Sequence, residues 1–298
     1  MPKLVFLAVA LALLGGTRCS RNTQITGPGP IVDLATDIKG LSGLTRDGEG
    51  ALWAAGENGD AVLRITGQGR EIRAYPVLGA PKGTDLEGLA WVRGNEFLVG
   101  TETQEEGRGS DVLLGARVEG GKFVVQPRDR IEYEAWGLTA PHNRGMEGLC
   151  YADGILVLAT ELVDERQGKR WAPVATLDVA KGVWSTFWVA LSSKTGKLAG
   201  VGCRIIDGKV VALAVERHFG VSRLLRFQLP TDSSDASAPP RIEPTVAADL
   251  STVIKPLPNF EGVVWNEDGS VVLLTDNLYK GRSPDPSRLY FVPASVVQ

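Results

Sequence analysis

Four residues of this chain stand immediately before a glycine in closely similar settings: Ser42, Glu87, Glu147 and Glu261. If the fold brings them together, three carboxylates and a hydroxyl share one site. Carboxylates at such range repel unless they are protonated or neutralised, and a hard divalent cation is the usual neutraliser. Calcium suits the set best, since it accepts about six to eight oxygens in irregular geometry, with carbonyls and waters completing the shell. Zinc is not indicated, because no His/Cys cluster accompanies these residues. A second reading stays open, in which the carboxylates accept neighbouring backbone N–H groups and merely staple the fold.

A second acidic set follows the first by about 14 to 17 residues: Glu57, Glu102, Glu161, Glu216 and Asp276. If each pair of positions bounds an antiparallel hairpin, the two sets open at one mouth, one as an inner ring and one as an outer. His142 and Arg144 precede Glu147, Arg217 and His218 follow Glu216, and Asn277 and Lys280 follow Asp276. These six flank the same mouth and are the candidate substrate contacts. Arg144, Arg217 and Lys280 suit a phosphate, but each could equally pair with a nearby carboxylate. No catalytic group is assigned from the sequence.

The elements that must position these residues are repeated hairpins. LSGLTRDGEGALWAAGEN, LEGLAWVRGNEFLVGTET, MEGLCYADGILVLATEL and FEGVVWNEDGSVVLLTDN each read as an apolar strand, a turn and a second apolar strand ending in a carboxylate. A degraded copy, LAGVGCRIIDGKVVALAVER, has Ala199 where the others have Ser or Glu. The copies start about 45 to 60 residues apart, the spacing of propeller blades. The expected fold is all-β, a single β-propeller with five blades, or six if one blade has lost its signature. The strand at Ile31 to Ile38 is expected to complete the last blade beside Arg288 to Val292, since ring closure removes exposed sheet edges.

The whole chain has 298 residues, 43% of them hydrophobic and 22% charged, with a formal net charge of -3. This composition supports a large core and argues against a nucleic-acid partner. Residues 1–19 read as a signal peptide: Lys3 precedes an apolar run, Leu4 to Leu14, that is too short to cross a bilayer. Export follows, to the periplasm, the outside or a lipid-anchored place in the envelope. Cys19 stands where a lipoprotein carries its acylated cysteine, although Arg18 fills a position that is normally small. The alternatives are acylation, the sole membrane attachment expected, and cleavage nearby. A polar linker, 20–30, then leads into the propeller domain, 31–298, expected to be a monomer. Cys150 and Cys203 leave two readings open, a single disulfide or two buried thiols.

The succession LSGLT, DLEGLAW, NRGMEGLCY with ATE, AVERHF, and NFEGVVW with LLTDN resembles the phytase-like family, also called esterase-like activity of phytase. The likeness runs from about Val32 to Pro293. It implies a β-propeller and hydrolysis of a phosphoester or ester. The Ser/Glu/Glu/Glu arrangement is more distantly similar to calcium-dependent apyrases, five-bladed propellers with an axial calcium ion; Ala199 departs from that pattern. Two functions are therefore expected in competition: an exported, calcium-binding hydrolase of small phosphoesters or esters, and a non-enzymatic propeller that binds a ligand or protein at the cell envelope.

Overall fold

The computed structural model describes residues 29–230, 238–277 and 285–297. Residues 1–19, with Cys19, and Lys280 lie outside the described residues. Within them the chain is all-β, with three short 3-10 turns and no α-helix.

After β1 (Ile31–Asp33), the strands fall into five four-stranded antiparallel modules. The first holds β2 (Leu41–Arg46), β3 (Leu52–Gly56), β4 (Ala61–Thr66) and β5 (Glu71–Leu78). The second holds β6 (Thr84–Arg93), β7 (Glu96–Thr103), β8 (Ser110–Glu119) and β9 (Lys122–Glu132). The third holds β10 (Met146–Ala152), β11 (Ile155–Thr160), β13 (Lys169–Asp178) and β14 (Val183–Ala190), with β12 (Asp164–Arg166) paired to β13. The fourth holds β15 (Lys197–Ile206), β16 (Lys209–His218), β17 (Val221–Gln228) and β19 (Thr245–Asp249), while β18 (Arg241–Ile242) pairs in parallel with β14. The fifth holds β20 (Phe260–Trp265), β21 (Val271–Thr275) and β22 (Arg288–Val292), completed by β1. That pairing, Ile31 with Tyr290 and Asp33 with Arg288, is the closure expected of the first strand, although the strand ends at Asp33 and does not run on to Ile38.

Each hairpin forms because short β-branched and leucine runs meet at turns that force the chain back. At the β10–β11 turn Asp153 and Gly154 both have positive φ, 48° and 83°. Asp tolerates that region and Gly has no Cβ to clash, so Asp-Gly makes the tight two-residue loop.

Strands of the inner hairpins are apolar on both faces because both faces are covered. In β11, Leu156 and Leu158 join an apolar cluster shared with the second module, while Val157 and Ala159 join one shared with the fourth. In β21, Val271 and Leu273 face the fourth module; Val272 and Leu274 face the first. There are five such clusters, one between each consecutive pair of modules, the fifth and first included. Burial of each Leu or Val contributes about 1.5–3 kcal/mol, so these seams hold the modules together.

The seams close at the centre on five glycines. A Cβ at Gly148 would lie 2.6 Å from the Val201 backbone nitrogen, and one at Gly262 would lie 2.6 Å from the Leu44 Cβ. Gly43, Gly88 and Gly200 press on β6, β10 and β20 in the same way. Each first strand thus needs a glycine where the next module's first strand passes over it. Cys150 and Cys203, on the neighbouring first strands β10 and β15, form a disulfide.

Candidate functional site

The glycine step does more than admit the neighbouring strand. In every module the pairing of the first two strands skips there: between Ser42 and Leu44, Leu86 and Gly88, Met146 and Gly148, Leu198 and Val201, and Phe260 and Gly262. Such a bulge re-aims the side chain at the skipped position. In the second, third and fifth modules that residue is Glu87, Glu147 or Glu261.

Register brings the second acidic set alongside. Asp85 pairs with Glu102, Met146 with Thr160, Phe260 with Thr275 and Lys197 with Arg217, so each second strand ends beside the start of the first. The result is one cavity of about 320 Å³. Glu57, Asp85, Glu87, Glu102, Glu147, Glu161, Glu261 and Asp276 line it, with Arg144, Lys197 and Arg217 as the basic residues and Asn143 and Asn259 between them.

Eight carboxylates against three basic groups leave a strongly acidic interior. Burial, and then the charges of Glu57, Glu102 and Glu261, push the Glu87 carboxyl well above its usual range. Glu147 is raised well above it too, by burial and then by Glu87, Glu102 and Glu261. Glu57 is raised to about 8 by burial and then by Asp276 and Glu261. Glu102 reaches about 8 because burial outweighs the Arg108 charge.

Some of this charge is already answered within the chain. Arg217 grips Glu261 with two hydrogen bonds, Nε to Oε2 at 3.1 Å and Nη2 to Oε1, and Asn259 Nδ2 adds a third at 2.8 Å. Burial works against the Arg217 charge, but Glu261 and Glu147 outweigh it and raise the group. Lys197 pairs with Glu161, and Arg144 Nε lies 3.9 Å from the same carboxylate. Glu147, only 6% exposed, makes no side-chain hydrogen bond or ion pair among the described residues. Glu102 Oε1 has no hydrogen-bond partner either, with Arg108 Nη2 no closer than 3.7 Å.

Other residues singled out from the sequence sit differently. The Ser42 hydroxyl is buried and donates to the Glu87 carbonyl oxygen at 2.8 Å. Glu216 is turned away from the cavity: the backbone N–H and hydroxyl of both Ser192 and Ser193 donate to it. Asn277 accepts from the Gly40 N–H and donates to the Asp285 carbonyl, which ties the first module to the fifth. His142 is exposed and donates from Nδ1 to the Gln104 carbonyl. His218 lines a neighbouring groove that shares Lys197 and Arg217 with the cavity.

Asp85, Lys197 and Asn259 also line the cavity and were not singled out in the sequence. Each stands two residues before the repeat's key position, in DLEG, KLAG and NFEG. Strand alternation puts such residues on the same side, so the period of two was the signal that could have found them. Arg108 was also missed. Buried behind the cavity, it holds Asp111 with Nε and Nη2 at 2.6 and 2.9 Å. It also donates to the carbonyls of Glu105, Pro141 and Arg144, which fixes the loop carrying His142 to Arg144.

The donor set suits a hard cation in kind: its uncommitted acidic groups offer oxygens, and among the described residues the Glu147 carboxylate has no counter-charge bonded to it. It is not gathered into a ready chelate. Among the described residues no group of three or more His, Cys, Asp or Glu side chains is placed to hold a metal ion.

The sequence model of a family described as "Phytase-like: Esterase-like activity of phytase" matches residues 36–277. No protein of curated function matches the chain. Among solved structures, the soluble aldose sugar dehydrogenase of Escherichia coli in its apo form is similar at a TM-score of 0.50 and 10% identity, covering 89% of this chain and 99% of that one. The PQQ-bound aldose sugar dehydrogenase of Streptomyces coelicolor gives 0.49 and 11%, covering 89% and 99%. Virginiamycin B lyase of Staphylococcus aureus gives 0.36 and 12%, covering 87% and 68%. These neighbours are β-propellers, and at 10% identity the first of them speaks for fold alone.

Proposed function

Because this chain belongs to the phytase-like family, whose description is esterase-like activity, we propose that it is a calcium-dependent hydrolase of a small phosphoester or ester, built as a five-bladed propeller. The five modules are its blades, and the ring of five apolar seams supports that count. The observation that carries the calcium reading is the Glu147 carboxylate, buried and unpartnered on a cavity where eight carboxylates meet three basic groups.

Glu87 and Glu147 would hold the cation, with Glu57 and Glu102 close by, while Glu261 stays with Arg217. Bound there, calcium would supply positive charge and polarise an ester or phosphoryl oxygen. The chain's own residues do the rest. Arg217, braced by Glu261, keeps its Nη1 edge without a hydrogen bond among the described residues, and with Lys197 it can receive an anionic group. Arg144, 59% exposed in its side chain, stands at the mouth where a substrate enters. Arg108 keeps the loop bearing Arg144 in place. Export is part of this reading; the Cys150–Cys203 disulfide supports it, because such bonds persist in oxidising compartments.

The test is the thermal midpoint of the chain from Ser20 onward in excess calcium and in excess chelator, followed by a screen of phosphoesters and carboxylic esters with calcium present. A midpoint that rises with calcium by mass action, loss of that rise in Glu147→Gln, and turnover that chelation abolishes are expected. No rise and no turnover would overturn the proposal. The second reading, a binding propeller at the envelope, would then lead, and one feature favours it already: the fourth blade, with Ala199 in the ring and Glu216 held by serines, contributes no carboxylate to the cavity.

A further inference from the structure

Beside the acidic cavity lies a groove of about 370 Å³ that shares Lys197, Arg217 and Asn259 with it. The two spaces are opposite in character. No carboxylate lines the groove; beyond the shared wall it is bounded by His218, Phe219, Leu257 and Pro258 among others. Phe219 is 69% exposed, the most exposed of the large hydrophobic side chains and the one aromatic among them in the described residues. It sits at the tip of the β16–β17 hairpin, where His218 pairs with Val221 across a two-residue turn. The His218 ring meets it edge-on at 4.8 Å between centroids.

An anion entering the acidic cavity would meet unanswered carboxylates. The same anion entering along the groove meets Lys197 and Arg217, held on their cavity side by Glu161 and Glu261, with an apolar shelf behind it. Charge and shape therefore select for one kind of molecule: an anionic head with a flat apolar substituent. We infer that the groove is the subsite for the organic part of the substrate, and that the preferred substrates are phosphomonoesters of aromatic alcohols, with phosphate against Lys197 and Arg217 and the ring on Phe219, Leu257 and Pro258. This rests on the proposed hydrolase reading for the reaction, but not for the binding.

Calorimetry with two non-hydrolysable probes, phenylphosphonate and methylphosphonate, tests it on the chain from Ser20 onward with calcium present. Phenylphosphonate is expected to bind at least about tenfold more tightly, the scale of burying one aromatic ring. Phe219→Ala should bring it to within about twofold of methylphosphonate and leave methylphosphonate and the thermal midpoint unchanged. Leu257→Ala should give a smaller loss of the same selective kind, and Lys197→Met should weaken both probes. Equal affinities in the unaltered protein, an equal loss of both probes in Phe219→Ala, or no binding of either would overturn the subsite. Selective binding without turnover of any ester would leave the subsite standing and remove the hydrolase. Turnover without preference for aromatic esters would do the reverse.

Discussion

The fourth module and the other four are built on one plan and end in opposite chemistry. The first, second, third and fifth modules send Glu57, Glu87, Glu147, Glu261 and their neighbours into the cavity. The fourth sends Lys197 and Arg217, and beyond them His218 and Phe219 along the groove. Its strands pair in the usual register, with the usual skip at the glycine step, so the scaffold has not changed. What differs is which residues occupy the equivalent places: Lys197 where the second module has Asp85, Ala199 where it has Glu87. A ring of carboxylates around an axis has no direction. One basic module gives it a side from which an anion can approach.

Arg217 is the sharpest place to break this contrast. Arg217→Ala strands the buried Glu261 carboxylate, and loss of one partner of a buried pair costs about 3–5 kcal/mol. Urea unfolding of the variant in chelator should show a loss on that scale, and calcium should recover part of it by supplying the missing charge. An unchanged midpoint would mean that the fourth module does not neutralise the ring.

Glu216 tests the claim that the module's acidic residue serves structure alone. Glu216→Ala leaves the N–H groups of Ser192 and Ser193 without their acceptor, a loss of about 1–3 kcal/mol. The calcium-induced rise in midpoint should persist in full. A vanished calcium response would put Glu216 among the cation's partners after all.

A third test is the drift of stability with pH. Glu57 and Glu102 are raised from 4.5 to about 8, and Glu87 and Glu147 are raised as well, so the folded protein holds these protons more tightly than the unfolded chain does. Stability without calcium is then fullest below about pH 4.5 and declines as pH rises toward 8. Thermal midpoints in chelator should fall across that window, and excess calcium should flatten the decline. A midpoint that climbs through the window would show that the fourth module's cations already hold the carboxylates ionised.

Much of this architecture was legible before any coordinates. Glycine steps, Asp-Gly turns and doubly apolar strands recur because each answers a local or nearest-neighbour demand that leaves a trace in residue type. The recurrence itself led to the ring, to the pairing of the first strand with the last, and to Glu87, Glu147 and Glu261 as residues of one mouth. Strand alternation would also have reached Asp85, Lys197 and Asn259. Other features carried no such trace. Glu216 does not take the place of Asp276: it pairs with Leu198 where Thr275 pairs with Phe260, so Arg217 stands at the acidic position and Glu216 faces the donors of Ser192 and Ser193 instead. Arg217 reads as a candidate substrate contact or a partner of some nearby carboxylate, and only the fold shows that the partner is Glu261, 44 residues on in the next module. Cys150 and Cys203 read equally as thiols until β10 and β15 are set side by side. The sequence by itself determined strands, turns and the repeat, because those follow from backbone preference and burial along one segment. Which carboxylates keep their charge, and which are answered by a lysine or an arginine, was decided only by the tertiary structure, because Coulomb energy depends on distances between modules that no single segment encodes.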